Sequence, residues 1–364
     1  MYSKVNTIFS YPSVISVECF ISNGLPSFNI VGLPSKAIQE SKDRVKSAIS
    51  SIGINLPPKK ITVNLNPVDI VKNGNHFDLP IAVAVLSALG YLKIPPNFLI
   101  AGELSLNSKV LPVRNIINYL LNLKDSYNLI LPISNFKEIS VITKYLNNCN
   151  SFGFKFISSL SDMFELEKLS FCNNFEDNED FELEDFSGLF ESIKGQELAK
   201  YALAVCAAGK HNVLMVGPPG TGKSILSKSC ICLFPEPNYE EFIDIARIYN
   251  MAGYEYEKWI KFKKVRPYRN PHHTSSYGSI VGALNKPGEI SLAHKGILFL
   301  DEFPEFHRNV IEALREPLEN KKIVISRVES KVEYPCDFVL IAAMNPCPCG
   351  YYKTNIKSCQ CYPY

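Results

Sequence analysis

The chain has 364 residues, with 38 Lys and Arg against 36 Asp and Glu, a net charge of +2 and 46% apolar residues. That length supports two or three hydrophobic cores at roughly 100 to 200 residues per domain, and the charge balance excludes a global basic field for nucleic acid. The opening MYSKVNTIFSYPSVISVECF lacks a signal-peptide pattern, the longest apolar run, IAVAVLSALGYL, falls short of about 20 residues, and the eleven cysteines are mostly scattered singly; a soluble cytoplasmic protein with reduced thiols is expected.

In chain order, β-branched runs alternate with helical patterns through VISVECFI, SFNIVG, KKITVNL, FDLPIAVAVLSALGYL, LIAGELSL and NLILPI, with turn signals between them. This alternation predicts an α/β domain over 1–165. From Phe171 to Glu191 there are eight acids and no base, which predicts a solvated acidic linker over 166–191. Next come a helix-like GQELAKYALAVCAAG, a strand, a glycine loop, a helix and two strongly apolar strands, GILFLDE and FVLIAAMN. Short buried strands separated by helices predict a mostly parallel sheet with helices on both faces over 192–346.

The chemistry concentrates in NVLMVGPPGTGKS, an apolar strand feeding Gly217, Pro218, Pro219, Gly220, Thr221, Gly222, Lys223 and Ser224. This satisfies G-x-x-x-x-G-K-[ST]. Glycines let backbone N–H groups curl around an anion, the following helix points its N-terminus at a phosphate, Lys223 neutralises β/γ oxygens and Ser224 ligates Mg2+. GILFLDE then ends in Asp301 and Glu302, which places one carboxylate with Ser224 on the metal and the next beside an attacking water. FVLIAAMN ends in Asn345, an amide suited to hold that water or the γ-phosphate. ATP with Mg2+ is the ligand expected, with Glu302 and Asn345 in catalytic roles.

The MNP strand end, the IKGQ segment from Ile193 to Gln196 and the DE form of the acidic strand resemble AAA+ ATPases. More narrowly, RPYRNPHHTSSYG, PGEISLAHKGILFLDEFPEF, LREPLE and NPCPCGYY resemble the magnesium-chelatase-like AAA+ family that includes competence proteins of the ComM/YifB type. The resemblance covers essentially the whole chain. It implies Ile193 at the nucleotide, a hexameric ring, and an ATP-driven motor on DNA that performs branch migration in natural transformation. Magnesium chelatase itself keeps a metal-insertion or protein-remodelling ATPase open as the alternative. In this family a helical lid and an arginine finger follow the segment at which this chain stops. The expectation is therefore either a lid-less nucleotide-binding remnant with little turnover or a chain served by a separately encoded lid polypeptide.

NGLPSFNIVGLPSKAIQESKDRVKSAI and KKITVNLNPVDIVKNGNHFDLPIAVAVL are similar to that family's N-terminal domain, related to the Lon protease domain and the ribosomal S5 fold. Where Lon has its nucleophilic Ser, after Asp78, this chain has Ile81, and Tyr119 falls near the position of the Lys. Neither suits a Ser–Lys dyad, so an inactive scaffold is implied, with a relocated pair of Ser87 and Lys72 as the alternative.

Between phosphate loop and acidic strand, YEYEKWIKFKKVRPYRNPHHTSSYG interleaves rings with Lys258, Lys261, Lys263, Lys264, Arg266 and Arg269. Such a segment suits single-stranded DNA, or else is a solvated amphipathic surface with Trp259 in the core. His272 and His273, as sequence neighbours, are expected to point apart and so to disfavour a shared metal. Gly278 and Gly282 stand isolated where the family has a run of glycines, implying a stiffer loop. Arg315 and Arg327 are candidates for a subunit seam or for surface ion pairs. Cys347, Cys349, Cys359 and Cys361 crowd the tail 347–364; they form either a tetrahedral Zn2+ site, despite the tight C-x-C pairs, or reduced thiols.

Overall fold

The computed structural model describes residues 1–149, 152–172, 188–284, 286–327, 330–353 and 357–361. The chain divides into two compact units, Met1–Glu179 and Asp180–Tyr364.

In the first unit the strands are β1 (Tyr2–Ile8), β2 (Val14–Ser22), β3 (Ser27–Val31), β4 (Lys60–Asn66), β5 (Phe98–Ile100), β6 (Glu103–Leu104), β7 (Val110–Leu111), β8 (Asn128–Pro132) and β9 (Gly153–Ile157). The helices are α1 (Lys36–Ser51), α2 (Asp78–Ala88), α3 (Ile116–Leu121) and α4 (Phe136–Cys149). Seven strands form one mixed sheet in the order β3-β4-β2-β1-β5-β8-β9. Its β4-β2-β1 portion is antiparallel, and β3, β5, β8 and β9 join in parallel. β2 alternates because its odd-numbered Ile15, Val17, Cys19 and Ile21 fill the core while Phe20 stays exposed. α2 is apolar on every side and packs on β1, β2 and α1, so nearly its whole surface is buried.

Asp78, at the start of α2, is fully buried and takes a two-pronged ion pair from Arg44 of α1, at 2.6 Å and 3.0 Å, plus the Leu104 N–H at 3.2 Å. Ile81 is fully buried in α2. Tyr119, on α3, packs 5.0 Å from His76, and burial raises its phenol pKa. Among the described residues the Ser87 hydroxyl has no hydrogen-bond partner, and the buried Lys72 ammonium donates to the Pro67 carbonyl, so no Ser87–Lys72 hydrogen bond forms.

Leu166 is buried in this unit's core, Phe171 stacks on Phe98 at 6.2 Å, and the Cys172 N–H donates to Phe154 O at 2.8 Å. The first residues of the expected acidic linker therefore lie against the sheet, because they are apolar. Its acidic bulk, 173–187, lies outside the described residues.

The second unit contains α5 (Leu189–Ser192), α6 (Glu197–Gly209), β10 (Val213–Val216), α7 (Lys223–Ser229), α8 (Tyr239–Met251), α9 (Tyr256–Trp259), β11 (Tyr268–Arg269), α10 (Tyr277–Val281), β12 (Gly282–Ala283), β13 (Lys286–Pro287), α11 (Glu289–Leu292), β14 (Ile297–Leu300), α12 (Arg308–Ala313), α13 (Arg315–Asn320), β15 (Lys322–Arg327), β16 (Ser330–Pro335) and β17 (Val339–Met344). Its main sheet runs β10-β17-β14-β11, parallel throughout. β14 is buried along its length and serves two cores by alternation. Ile297 and Phe299 join Leu203, Leu226 and Ile341 on one face, while Leu298 and Leu300 join Ile280, Ile290 and Val310 on the other. The fold is thus mixed α/β; β14 is covered on both faces as its apolar run anticipates, whereas Leu214 and Val216 on the edge strand β10 stay exposed.

Candidate active site

The parallel register brings three chain segments to one sheet edge. Val216 pairs with Met344 and Leu300 with Ala342, so Gly217 leaves the sheet level with Asn345, and Asp301 leaves it on the neighbouring strand level with Ala343, two residues short of Asn345. The Gly217 N–H fastens to Met344 O at 3.2 Å. Crevices of this kind, at the carboxyl ends of parallel strands, are where α/β sheets take ligands.

The loop from Gly217 to Gly222 turns on two left-handed glycines, Gly220 at φ +79° and Gly222 at φ +84°, where a Cβ would be strained. Thr221 Oγ1 ties back to Pro218 O at 2.9 Å, and Gln196 Nε2 to Thr221 O at 3.4 Å. Lys223, opening α7, donates to Gly217 O at 2.8 Å, Pro218 O at 3.0 Å and Asn345 Oδ1 at 3.2 Å. Ser224 donates to Asp301 Oδ2 at 2.6 Å, and Asp301 Oδ1 accepts the Glu302 N–H at 3.0 Å. A hydroxyl and a carboxylate in contact are the hard oxygen donors Mg2+ takes alongside phosphate. Ile193 lies against the core beside α6, its carbonyl bonded by Lys200.

Glu302 is exposed and adopts φ +51° at the strand end, and its Oε2 lies 3.0 Å from Nδ1 of His273. His273 in turn packs against His272, ring centroids 4.2 Å apart, with His272 Nδ1 2.8 Å from Thr274 Oγ1. The expectation that these rings point apart fails, because alternation holds on a regular strand or helix and this stretch is a loop after Pro271. Behind the phosphate loop, burial pushes the Tyr268 phenol up to about 12, and its OH sits 2.9 Å from Ser227 Oγ.

The basic segment divides. Lys258 is exposed and Lys261, Lys263 and Lys264 are half-buried around Trp259, which is fully buried. Arg266 and Arg269 leave the set of expected DNA contacts. Arg266 is buried, giving its guanidinium to Glu241 at 2.7 Å, Pro235 O and Lys295 O at 2.8 Å each. Arg269 forms a two-pronged pair with Glu289 at 2.6 Å and 2.7 Å. Arg315 is exposed at the head of α13, and Arg327 ends β15.

In the tail, the sulfurs of Cys347, Cys349, Cys359 and Cys361 all lie within 4.8 Å of one another. Of the neighbours of the site, Gln196 and His273 lie in the IKGQ and PHHT strings already singled out, whereas no sequence signal places Gly350 there. Gly350 nonetheless sits so close to Pro219 that a Cβ there would fall 2.7 Å from its Cδ.

Residues 189–364 match the family described as "Magnesium chelatase, subunit ChlI", and residues 17–135 match "Subunit ChlI of Mg-chelatase". The chain is 39% identical over 371 residues to competence protein ComM of Haemophilus influenzae, covering 97% of this chain and 69% of that one. Against the uncharacterized protein YifB of Salmonella typhimurium it is 39% identical over 359 residues, 95% and 67% of the two chains. A more distant likeness, 24% over 182 residues, is to Lon protease 2 of Bacillus subtilis, covering 44% of this chain and 33% of that one.

Proposed function

The chain belongs to the ComM/YifB-type magnesium-chelatase-like AAA+ family, and from that premise we propose that it binds and hydrolyses ATP with Mg2+ as a cytoplasmic ring motor, a hexamer, acting on DNA. The observation that carries the nucleotide reading is the meeting of Lys223 with Asn345 and of Ser224 with Asp301, pairs 122 and 77 residues apart in sequence. Lys223 and the N–H groups of Gly220 to Ser224 neutralise the β/γ oxygens. Ser224 and Asp301 would hold Mg2+, which would supply Lewis-acid neutralisation of charge on those oxygens. Glu302 takes the proton of the attacking water, and Asn345 orients that water or the terminal phosphate. His273 fixes the Glu302 carboxylate.

Support for DNA comes from the similarity to a competence protein and from Lys258, Lys261, Lys263 and Lys264 around a ring-rich segment. The test is ATP turnover of the full chain with forked DNA, with an unfolded protein and with a porphyrin. Stimulation by forked DNA alone is expected. Stimulation by unfolded protein or porphyrin instead would replace the DNA motor with a remodelling or metal-inserting ATPase.

A further inference from the structure

We propose that Cys347, Cys349, Cys359 and Cys361 hold one zinc ion as four thiolates and that, on the reading that Gly217–Ser224 binds ATP, this metal knuckle braces the phosphate loop. Three of the inter-sulfur distances are 3.4 Å, 3.6 Å and 3.7 Å, and every pair lies within 4.8 Å. A regular tetrahedron with Zn–S of about 2.3 Å has an S···S edge of about 3.8 Å. The cluster is thus sized for a single ion. Two disulfides would instead show two bonds of about 2.05 Å and long distances between pairs. Here Cys347, Cys349 and Cys359 are mutually near, and all four cysteines are free.

The surroundings suit bound thiolates. The Cys349 N–H donates to Cys361 Sγ at 3.3 Å and the Tyr352 N–H to Cys347 Sγ at 3.3 Å, the outer contacts that steady metal ligands. Lys353 and Lys357 lie between Cys349 and Cys359 in sequence, with their ammonium groups over the rings of Tyr352 and Tyr351. Binding releases the four thiol protons to solvent and changes no oxidation state.

The tight C-x-C pairs find their use at Gly350, the residue after Cys349. It is buried, adopts φ +84° and packs against Pro219 of the phosphate loop. Cys347 itself follows Asn345 by two residues. One ion therefore ties down both a face of the loop and the strand end that carries the amide.

The experiment is metal analysis of the purified full chain, then cobalt substitution and nucleotide binding. One zinc per chain is expected, with at least tenfold less in Cys359→Ser/Cys361→Ser and no loss in Cys232→Ser. Should the double variant fail to fold, wild-type protein exchanged into Co2+ must give the visible spectrum of a tetrahedral thiolate site. Absence of zinc, stoichiometric iron, or four thiols that titrate freely or as two disulfides overturns the site. Removing zinc from wild type, with Mg2+ in excess, is expected to weaken binding of a fluorescent ATP analogue at least tenfold; unchanged affinity overturns the bracing. Zinc content is read without nucleotide, so loss of either result leaves the other standing.

Discussion

Glu302 reaches the crevice from a left-handed backbone position, and its carboxylate meets His273 at 3.0 Å. If Glu302 takes a proton from water, removing its charge costs far more than removing its neighbour. Glu302→Gln should lower kcat by about 10² to 10⁴. His273→Ala should lower kcat by about tenfold and leave the KM for ATP unchanged; an equal rise in KM would make His273 a nucleotide contact instead. Away from the site, His294 Nδ1 accepts the Asp337 N–H at 3.0 Å, a bond that protonation would break. Burial, helped by Lys295, lowers its pKa to about 4, so the folded state refuses a proton that the unfolded chain binds below about 6.5. The stability this contributes is present above about pH 6.5 and is lost as pH falls towards 4. Asp337 extends the same trend to lower pH. Burial alone would raise it, but Lys295 and Lys321 hold it at about 2, so its contribution fades between about pH 4 and 2. Urea unfolding followed at Trp259, the sole tryptophan, should show about 2 kcal/mol less stability at pH 5 than at pH 7, a gap that shrinks in His294→Gln. An undiminished gap in the variant would clear His294.

Among elements, the joint between α1 and α2 is the clearest mechanical test. Asp78 is fully buried and Arg44 is its charged partner, so Arg44→Met leaves an uncompensated carboxylate in the core. Breaking such a pair costs about 3 to 5 kcal/mol, and the partial exposure of Arg44 puts the expected loss near ~3 kcal/mol in a denaturant melt. Restoration by adding Asp78→Asn would confirm that charge, more than packing, is at stake. The elements that sequence made legible share one property: their burial is written locally. β14 and β17 are unbroken apolar runs ending in chemistry-bearing residues, and the phosphate loop carries its own glycines and lysine. What escaped depends on partners far along the chain. Arg266 and Arg269 look like phosphate contacts until Glu241 and Glu289, 25 and 20 residues away, cancel them. β11 is two residues long inside PYRNP, too short for any period, yet it places His272 and His273 near Glu302.

At the scale of the whole molecule, a mixed seven-stranded sheet unit with no Ser87–Lys72 hydrogen bond accompanies a parallel-sheet unit whose crevice gathers Lys223, Ser224, Asp301 and Asn345. If the second unit tracks DNA phosphates, each lysine lost from contact should flatten the salt dependence of affinity by about 0.7 to 0.9 in log–log slope. Replacing Lys258, Lys261, Lys263 and Lys264 by Ala should show this additively, whereas an unchanged slope would move the DNA surface elsewhere. The nucleotide itself decides most. Binding of Mg·ATP and its turnover should be measured on wild type, Lys223→Ala and Glu302→Gln. The account predicts binding by wild type and Glu302→Gln, loss of binding in Lys223→Ala, and turnover at least about 10²-fold lower in Glu302→Gln than in wild type. Equal binding by all three, or turnover undiminished in Glu302→Gln, would contradict it.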